Sequence, residues 1–196
     1  MIVQWCCKGI PSISDADVRQ ILLGGEGLVC SLWHNTPIRS MADALSRLSE
    51  RHLDSHLHDY DSVGHETAYI SLSAGCVERD ALLARNVRHA ARLTALAFAT
   101  DWGQVAGWLF TCYVFVGINP APQIPAVAEE LRELNHARPY SPYYREGEVA
   151  AKIHVPSRQI LSAENWVPVA SGFKVNGYVN PTFFDPKPLV NERATL

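Results

Sequence analysis

The stretch WLFTCYVFV, residues 108–116, decides how the rest of the chain can be arranged. It is an unbroken run of aromatic, aliphatic and β-branched side chains, which is typical of a strand covered on both faces. Gly117 follows it, and prolines at positions 120, 122 and 125 predict a turn. We therefore expect a central strand over residues 108–116.

Further elements are predicted on both sides of this strand from apolar periodicity and from helix-capping residues. Upstream, we expect helices over residues 14–23, 41–52 and 78–99 and strands over residues 28–33 and 67–71. Downstream, we expect a helix over residues 126–134 and strands over residues 148–153, 160–161 and 166–175. Residues 52–65, which contain four histidines and little apolar periodicity, predict a loop.

Composition limits the classes of protein to consider. The 196 residues are 47% hydrophobic and 19% charged, which predicts one globular domain with a core. A formal net charge of −3 gives no sign of a nucleic-acid or anionic membrane partner. No apolar run reaches the roughly 20 residues of a spanning helix, and no signal peptide is evident, so we expect a soluble chain.

The cysteine count points to a reducing compartment. Five cysteines without CxxC spacing disfavour both a disulfide framework and a thiolate zinc site. A bridge between Cys30 and Cys112 stays open at this point.

Residues 140–149 contain a Tyr-Ser-Pro turn and a Glu-x-Glu motif, and residues 156–160 read Pro-Ser-Arg-Gln-Ile. These motifs resemble those of the cholera-toxin and heat-labile-enterotoxin A subunits. Residues 112–122 resemble the central strand of this family and its Ala-Pro exit. Residues 69–73 take the place of its Ser-Thr-Ser strand, and residues 32–36 fall where its first strand ends in an NAD-binding arginine.

The resemblance implies an α+β, ADP-ribosyltransferase-like fold in which two antiparallel-rich sheets form an NAD cleft with flanking helices. We expect residues 1–27 to be an N-terminal helical lead-in, residues 28–180 the catalytic domain and residues 181–196 an irregular tail. The implied activity is transfer of ADP-ribose from NAD+, as a co-substrate and without a metal, to an arginine of a target protein. Such a domain would be a secreted or delivered toxin or effector that acts in a reducing target cytosol.

The resemblance also assigns candidate site residues. Cleavage of NAD+ at the nicotinamide ribose develops an oxocarbenium-like cation, which a fixed carboxylate stabilises. Glu148 is the candidate for that carboxylate, with Ser71 orienting it. Glu146 would attract the acceptor guanidinium.

The NAD+ contacts are less conventional, because His34 stands where the family has arginine. Either His34 serves directly, or a nearby residue such as Arg39 substitutes, or the chain is an inactive relative. Trp33 and Ser73 are further candidates for contact with NAD+.

Alternatives of other classes stay open. The basic helical face of Arg85, Arg88, His89 and Arg92 is expected to be solvated, but it would also suit a nucleic-acid acceptor. A non-catalytic NAD-binding or interaction domain of the same fold is the other alternative. His52, His56 and His58 could suggest a metal site, which we disfavour because a closing ligand is missing. No feature of the sequence indicates an oligomeric state.

Overall fold

The computed structural model describes residues 2–35, 40–75, 87–117, 123–131 and 147–186, and for residues 87–90 it describes the backbone alone. Within these residues the strands are β1 (Ile2–Pro11), β2 (Leu28–Val29), β3 (Tyr69–Ser73), β4 (Gly107–Val116), β5 (Glu129–Glu130), β6 (Glu148–Lys152), β7 (His154–Val155), β8 (Ile160–Val169) and β9 (Gly172–Val179). Seven of them form one sheet in the order β5-β6-β3-β1-β4-β8-β9, with antiparallel pairing throughout, and β2 pairs with β7. The predicted α+β class with two antiparallel sheets is confirmed.

The helices of the described residues are α1 (Asp15–Leu22), α2 (Ser31–Asn35), α3 (Met41–Ser46), α4 (Glu50–His58), α5 (Tyr60–Val63) and α6 (Val87–Ala99), and Ser157–Gln159 form a 3-10 turn. Helix α1 was predicted, α6 confirms the described part of the helix predicted over residues 78–99, and the helix predicted over residues 41–52 is divided between α3 and the start of α4. Ser14 caps α1 by accepting a hydrogen bond from the backbone N–H of Asp17 at 3.1 Å. None of these helices is long and apolar enough to cross a membrane.

The central part of the sheet holds the core. The predicted strand at residues 108–116 is confirmed as β4, and most of its side chains are buried. The helix α6 packs against β1, where a Cβ atom on Gly9 would lie 1.9 Å from the carbonyl oxygen of Ala95. Glycine at this position therefore permits the close contact between helix and sheet.

The strand β1 was not predicted, and its position corrects the expected helical lead-in at residues 1–27. β1 lies between β3 and β4 and pairs with β4 over ten positions, from Ile2 against Val116 to Pro11 against Gly107. Polar residues interrupt its apolar pattern, so its stability as a strand comes from this non-local pairing. Residues 2–11 are thus part of the sheet.

Two further predictions in the first half are wrong. The expected strand over residues 28–33 is limited to β2, and α2 begins at Ser31. The expected loop over residues 52–65 is largely helical, as α4 and α5. Leu53, His56 and Leu57 form the buried face of α4, so a histidine occupies a position that the apolar pattern reserves for a hydrophobic residue.

Two predictions in the second half also need correction. Residues 129–130 form β5 and not part of a helix, because they pair with β6 and because Glu129 makes a buried ion pair of 2.6 Å with Lys152. The expected last strand over residues 166–175 is a hairpin, in which β8 and β9 pair from Val169 and Gly172 outward.

Two open questions about side chains are also answered. Cys30 and Cys112 are free thiols, so no bridge joins them. Arg92, expected on a solvated face, donates two hydrogen bonds to the Glu164 carboxylate at 3.1 and 2.7 Å. Arg92 therefore links α6 to β8 through an ion pair.

Candidate functional site

The pairing of β3 with β6 brings predicted site residues together. In their register Ser71 lies opposite Ala150 and Ser73 opposite Glu148. Directly opposite residues of an antiparallel pair point to the same face, and residues two apart on a strand share a face. Ser71, Ser73 and Glu148 consequently point to one side of the sheet.

Gly147 determines where Glu148 begins its strand. Its φ of 66° lies in the left-handed region, and a Cβ atom on it would lie 2.1 Å from the carbonyl carbon of Gly75. Its carbonyl oxygen accepts a hydrogen bond of 2.8 Å from the N–H of Ala74. This close backbone contact fixes the start of β6, where Glu148 is buried and its side chain is 11% exposed.

His56 reaches this carboxylate from α4. Its Nε2 atom lies 3.0 Å from Ser71 Oγ and 3.5 Å from Glu148 Oε1. Its Nδ1 atom lies 2.9 Å from Thr67 Oγ1, which also accepts a hydrogen bond from the backbone N–H of Tyr69. Thr67 is then placed to donate its hydroxyl proton to Nδ1, which leaves the imidazole proton on Nε2, toward Ser71 and Glu148.

The electrostatic balance favours an ionised Glu148. Burial raises the pKa of this carboxyl, but hydrogen bonds from His56 and Ser71 and the charge of Lys8 act in the opposite direction. The net effect is a pKa below its usual value of 4.5, so Glu148 carries a negative charge near neutral pH.

Lys8 adds a positively charged ammonium group near the Glu148 carboxylate. It lies on β1 and is half-buried, and burial lowers the pKa of its ammonium group although the Glu148 carboxylate raises it. Within the described part of the chain, no hydrogen bond or ion pair engages the Lys8 ammonium group. The amine is therefore available to an anionic ligand.

These groups line one cavity of about 250 Å³. Lys8, His56, Ser71, Ser73 and Glu148 form its polar part, and Tyr60 and Phe98 contribute aromatic walls. A carboxylate, a cation, hydroxyls and aromatic surface within one cavity can bind a ligand that has both charged and apolar groups.

The structure does not bring every predicted residue to this cavity. His34 and Trp33 are exposed on the short helix α2 and do not line it. The alignment of residues 32–36 with the first strand of the resembled family is wrong, because residues 32–35 lie in the helix α2. Glu146 and Arg39 lie outside the described residues.

Two residues of the cavity were missed in the sequence. Lys8 was missed together with β1, although a lone lysine in the run WCCKGI, residues 5–10, could have indicated a functional cation. His56 was considered only as a metal ligand in a loop. Within the described residues, no group of three or more His, Cys, Asp or Glu side chains is arranged to hold a metal ion.

Comparisons with known proteins give a likeness at the level of the fold. No family model and no curated protein matches the chain. Among solved structures, a valine-to-lysine mutant of E. coli heat-labile enterotoxin is similar, with 14% identity, a TM-score of 0.50 and coverage of 96% of this chain and 82% of that chain.

Two further solved structures are similar at lower TM-scores. EcPltA has 12% identity, a TM-score of 0.45 and coverage of 93% of this chain and 87% of that chain. An arginine-to-lysine mutant of heat-labile enterotoxin, described as having a flexible active-site loop in the A subunit, has 15% identity and a TM-score of 0.46, with coverage of 97% and 82%. The chain is therefore similar in its α+β fold to heat-labile enterotoxin.

Proposed function

We propose that this protein is an ADP-ribosyltransferase, which breaks the bond between nicotinamide and ribose in NAD+ and transfers ADP-ribose to an acceptor. The observation that carries the proposal is the buried Glu148 carboxylate, which lies within 3.5 Å of His56 Nε2 in a cavity that also contains Lys8. The resemblance of residues 140–160 to the enterotoxin motif supports the same assignment.

The proposed reaction is a substitution at the anomeric carbon of the nicotinamide ribose. The bond from this carbon to the nicotinamide nitrogen breaks, and the electron pair leaves with nicotinamide. Positive charge then develops on the ribose, and the Glu148 carboxylate stabilises it. An acceptor nucleophile forms the new bond to the same carbon and passes its proton to a base, for which the Glu146 carboxylate is the candidate.

Ser71 and His56 act on Glu148 in this scheme. Nε2 of His56 donates to Ser71 Oγ, and the Ser71 hydroxyl donates to the carboxylate, which keeps it ionised and oriented. His56 and Ser71 are thus positioning residues for Glu148. Ser73, in the same cavity, would contact the bound ribose.

We assign to Lys8 the role of the NAD+-binding cation, for which the sequence had suggested His34. The resembled family places an NAD-binding arginine at the end of its first strand, and the first strand of this chain is β1, which contains Lys8. An ammonium group binds a phosphate as a point charge, without the bidentate geometry of a guanidinium. We therefore assign Lys8 to the phosphates of NAD+.

The acceptor is proposed to be an arginine side chain of a target protein, activated by Glu146. A guanidinium is protonated near neutral pH, so a carboxylate that binds it would also increase its nucleophilicity. By the same resemblance, the protein would be a toxin or effector that is secreted or delivered to a target cell.

Release of nicotinamide from NAD+ tests the activity. The wild type should release nicotinamide, and Glu148→Gln should reduce the rate about a hundredfold or more, because the replacement removes the negative charge while keeping the shape. Glu26→Gln, an exposed residue outside the cavity, is the matched control and should retain the rate. A wild type no faster than Glu148→Gln would refute the enzyme and favour a non-catalytic NAD-binding domain.

The acceptor is tested separately, with the same enzyme. Agmatine, an arginine analogue, should be labelled by ADP-ribose from NAD+, and Glu146→Gln should lose agmatine labelling more than NAD+ hydrolysis. If RNA or DNA is labelled and agmatine is not, the acceptor is not arginine, although the proposed cleavage of NAD+ still holds.

A further inference from the structure

A second cavity, of about 320 Å³, lies beside α4. The side chains that matter for its chemistry are Arg47, Arg51, His52, Ser55, Glu66 and Thr67. We call it the α4 cavity. Apart from Thr67, whose hydroxyl holds the His56 imidazole, none of these residues has a part in the proposed transfer reaction.

The charges of the α4 cavity are unbalanced. Arg47 and Glu66 are its only described ion pair, and Arg47 Nη1 lies 3.6 Å from Glu66 Oε2, beyond ordinary hydrogen-bond distance. Arg51 makes no ion pair within the described residues. Two guanidinium groups thus face one carboxylate, and the cavity carries a net positive charge.

His52 adds a hydrogen-bond donor to the two arginines. Ser49 Oγ accepts the backbone N–H of His52 at 3.3 Å and lies 2.7 Å from His52 Nδ1. The Ser49 hydroxyl is then placed to donate to Nδ1, so the imidazole proton lies on Nε2. Burial lowers the pKa of His52, and the charges of Arg47 and Arg51 lower it further.

We propose that the α4 cavity binds an oxyanion of the phosphate class. Guanidinium groups recognise tetrahedral oxyanions through paired, charge-assisted hydrogen bonds, and Arg47, Arg51, His52 Nε2 and the Ser55 hydroxyl supply donors. A bound dianion removes the repulsion between the cations, and among the described residues of the lining only Glu66 opposes it with a carboxylate.

The site is connected to the active-site cavity through one side chain. Thr67 lines the α4 cavity, and its hydroxyl lies 2.9 Å from His56 Nδ1. An anion beside Thr67 is therefore close to the His56, Ser71 and Glu148 group without entering the cavity that those residues line. Binding of phosphate does not depend on the proposed transferase activity.

The test is a titration of the purified chain with inorganic phosphate, followed by NMR of the histidine imidazole resonances, with His52 assigned through His52→Gln. The wild type should show a saturable shift of His52 at constant ionic strength. Arg51→Gln and Arg47→Gln should each weaken phosphate binding about tenfold or more, because each removes charged hydrogen bonds. Arg158→Gln makes the same change in charge at an exposed residue outside the cavity and should bind like the wild type.

Three results would overturn the proposal. The first is the absence of a saturable shift in a wild type whose circular dichroism shows a folded protein. The second is an equal loss of affinity in Arg158→Gln and Arg51→Gln, which would mean that phosphate responds to overall charge. The third is a His52 shift with ADP-ribose but none with phosphate, which would make the α4 cavity part of the dinucleotide site.

Discussion

At the scale of single residues, the role of Lys8 in binding NAD+ can be tested separately from the cleavage chemistry. It supplies an ammonium group to the cavity of Glu148, and within the described residues that group has no hydrogen-bonding partner. Lys8→Gln should lower kcat/KM for NAD+ about tenfold or more, mainly through KM, because a charged hydrogen bond to phosphate is lost. Lys8→Arg keeps the cation and should retain most of the activity.

The measurement is nicotinamide release over a range of NAD+ concentrations. Lys174→Gln, which removes an exposed lysine on β9, serves as the matched control. Equal kinetics for Lys8→Gln and the wild type would exclude Lys8 from NAD+ binding and bring His34 back as the candidate.

The sequence identified some of the site residues and missed others for a physical reason. Ser71, Ser73 and Glu148 lie in motifs of the resembled family, and strand alternation predicts that Ser71 and Ser73 share a face. Lys8 and His56 reach the cavity through pairing or packing between segments far apart in the chain. A short-range pattern does not contain that information.

At the scale of elements, the junction of Gly147 with β6 should be intolerant of any side chain. Gly147→Ala places a Cβ atom against the backbone of Gly75 and also requires a left-handed φ. We expect a loss of more than about 1 kcal/mol of unfolding free energy and a strong loss of nicotinamide release, because the adjacent Glu148 moves.

The variant Gly25→Ala separates the effect of the left-handed φ from the effect of the Cβ clash. Gly25 has a φ of 84°, but a Cβ atom on it meets nothing within 4 Å. Denaturant unfolding of both variants compares backbone strain alone with strain plus the clash. If Gly147→Ala is no less stable than Gly25→Ala and retains its activity, the close contact with Gly75 does not position Glu148.

Elements were predictable where local pattern and tertiary environment agree. The strand β4 is apolar throughout and lies in the middle of the sheet, so both point to the same structure. The strand β5 was predicted as helix because its pairing with β6 and the buried contact of Glu129 with Lys152 override the local pattern. The hairpin of β8 and β9 was read as two shorter strands because its exposed residues lack a regular alternation.

At the scale of the whole molecule, the central position of β1 makes the first residues indispensable. A chain truncated to residues 28–180 loses β1, and β3 and β4 then lack the strand between them. We expect this chain to be unfolded or aggregated, since two inner strands would expose unpaired backbone groups. Circular dichroism and size-exclusion chromatography would show it.

A chain truncated after residue 180 is the comparison. This truncation removes none of the strands described in the structure, and the chain should keep its sheet signal even though Phe183 contacts Trp5. A cooperative, monodisperse 28–180 chain would contradict the structural importance of β1.

Three of the four polar groups of the cavity lie on strands and the fourth lies on a helix, which has a consequence for the ionisation of Glu148. Lys8, Ser71 and Glu148 lie on strands held by neighbours on both sides, whereas His56 lies on α4, which contributes no strand to the sheet. A displacement of α4 away from the sheet would break no inter-strand hydrogen bond. It would, however, remove the hydrogen bond by which His56 lowers the Glu148 pKa. The ionisation of Glu148 therefore depends on the position of one helix as well as on the sheet.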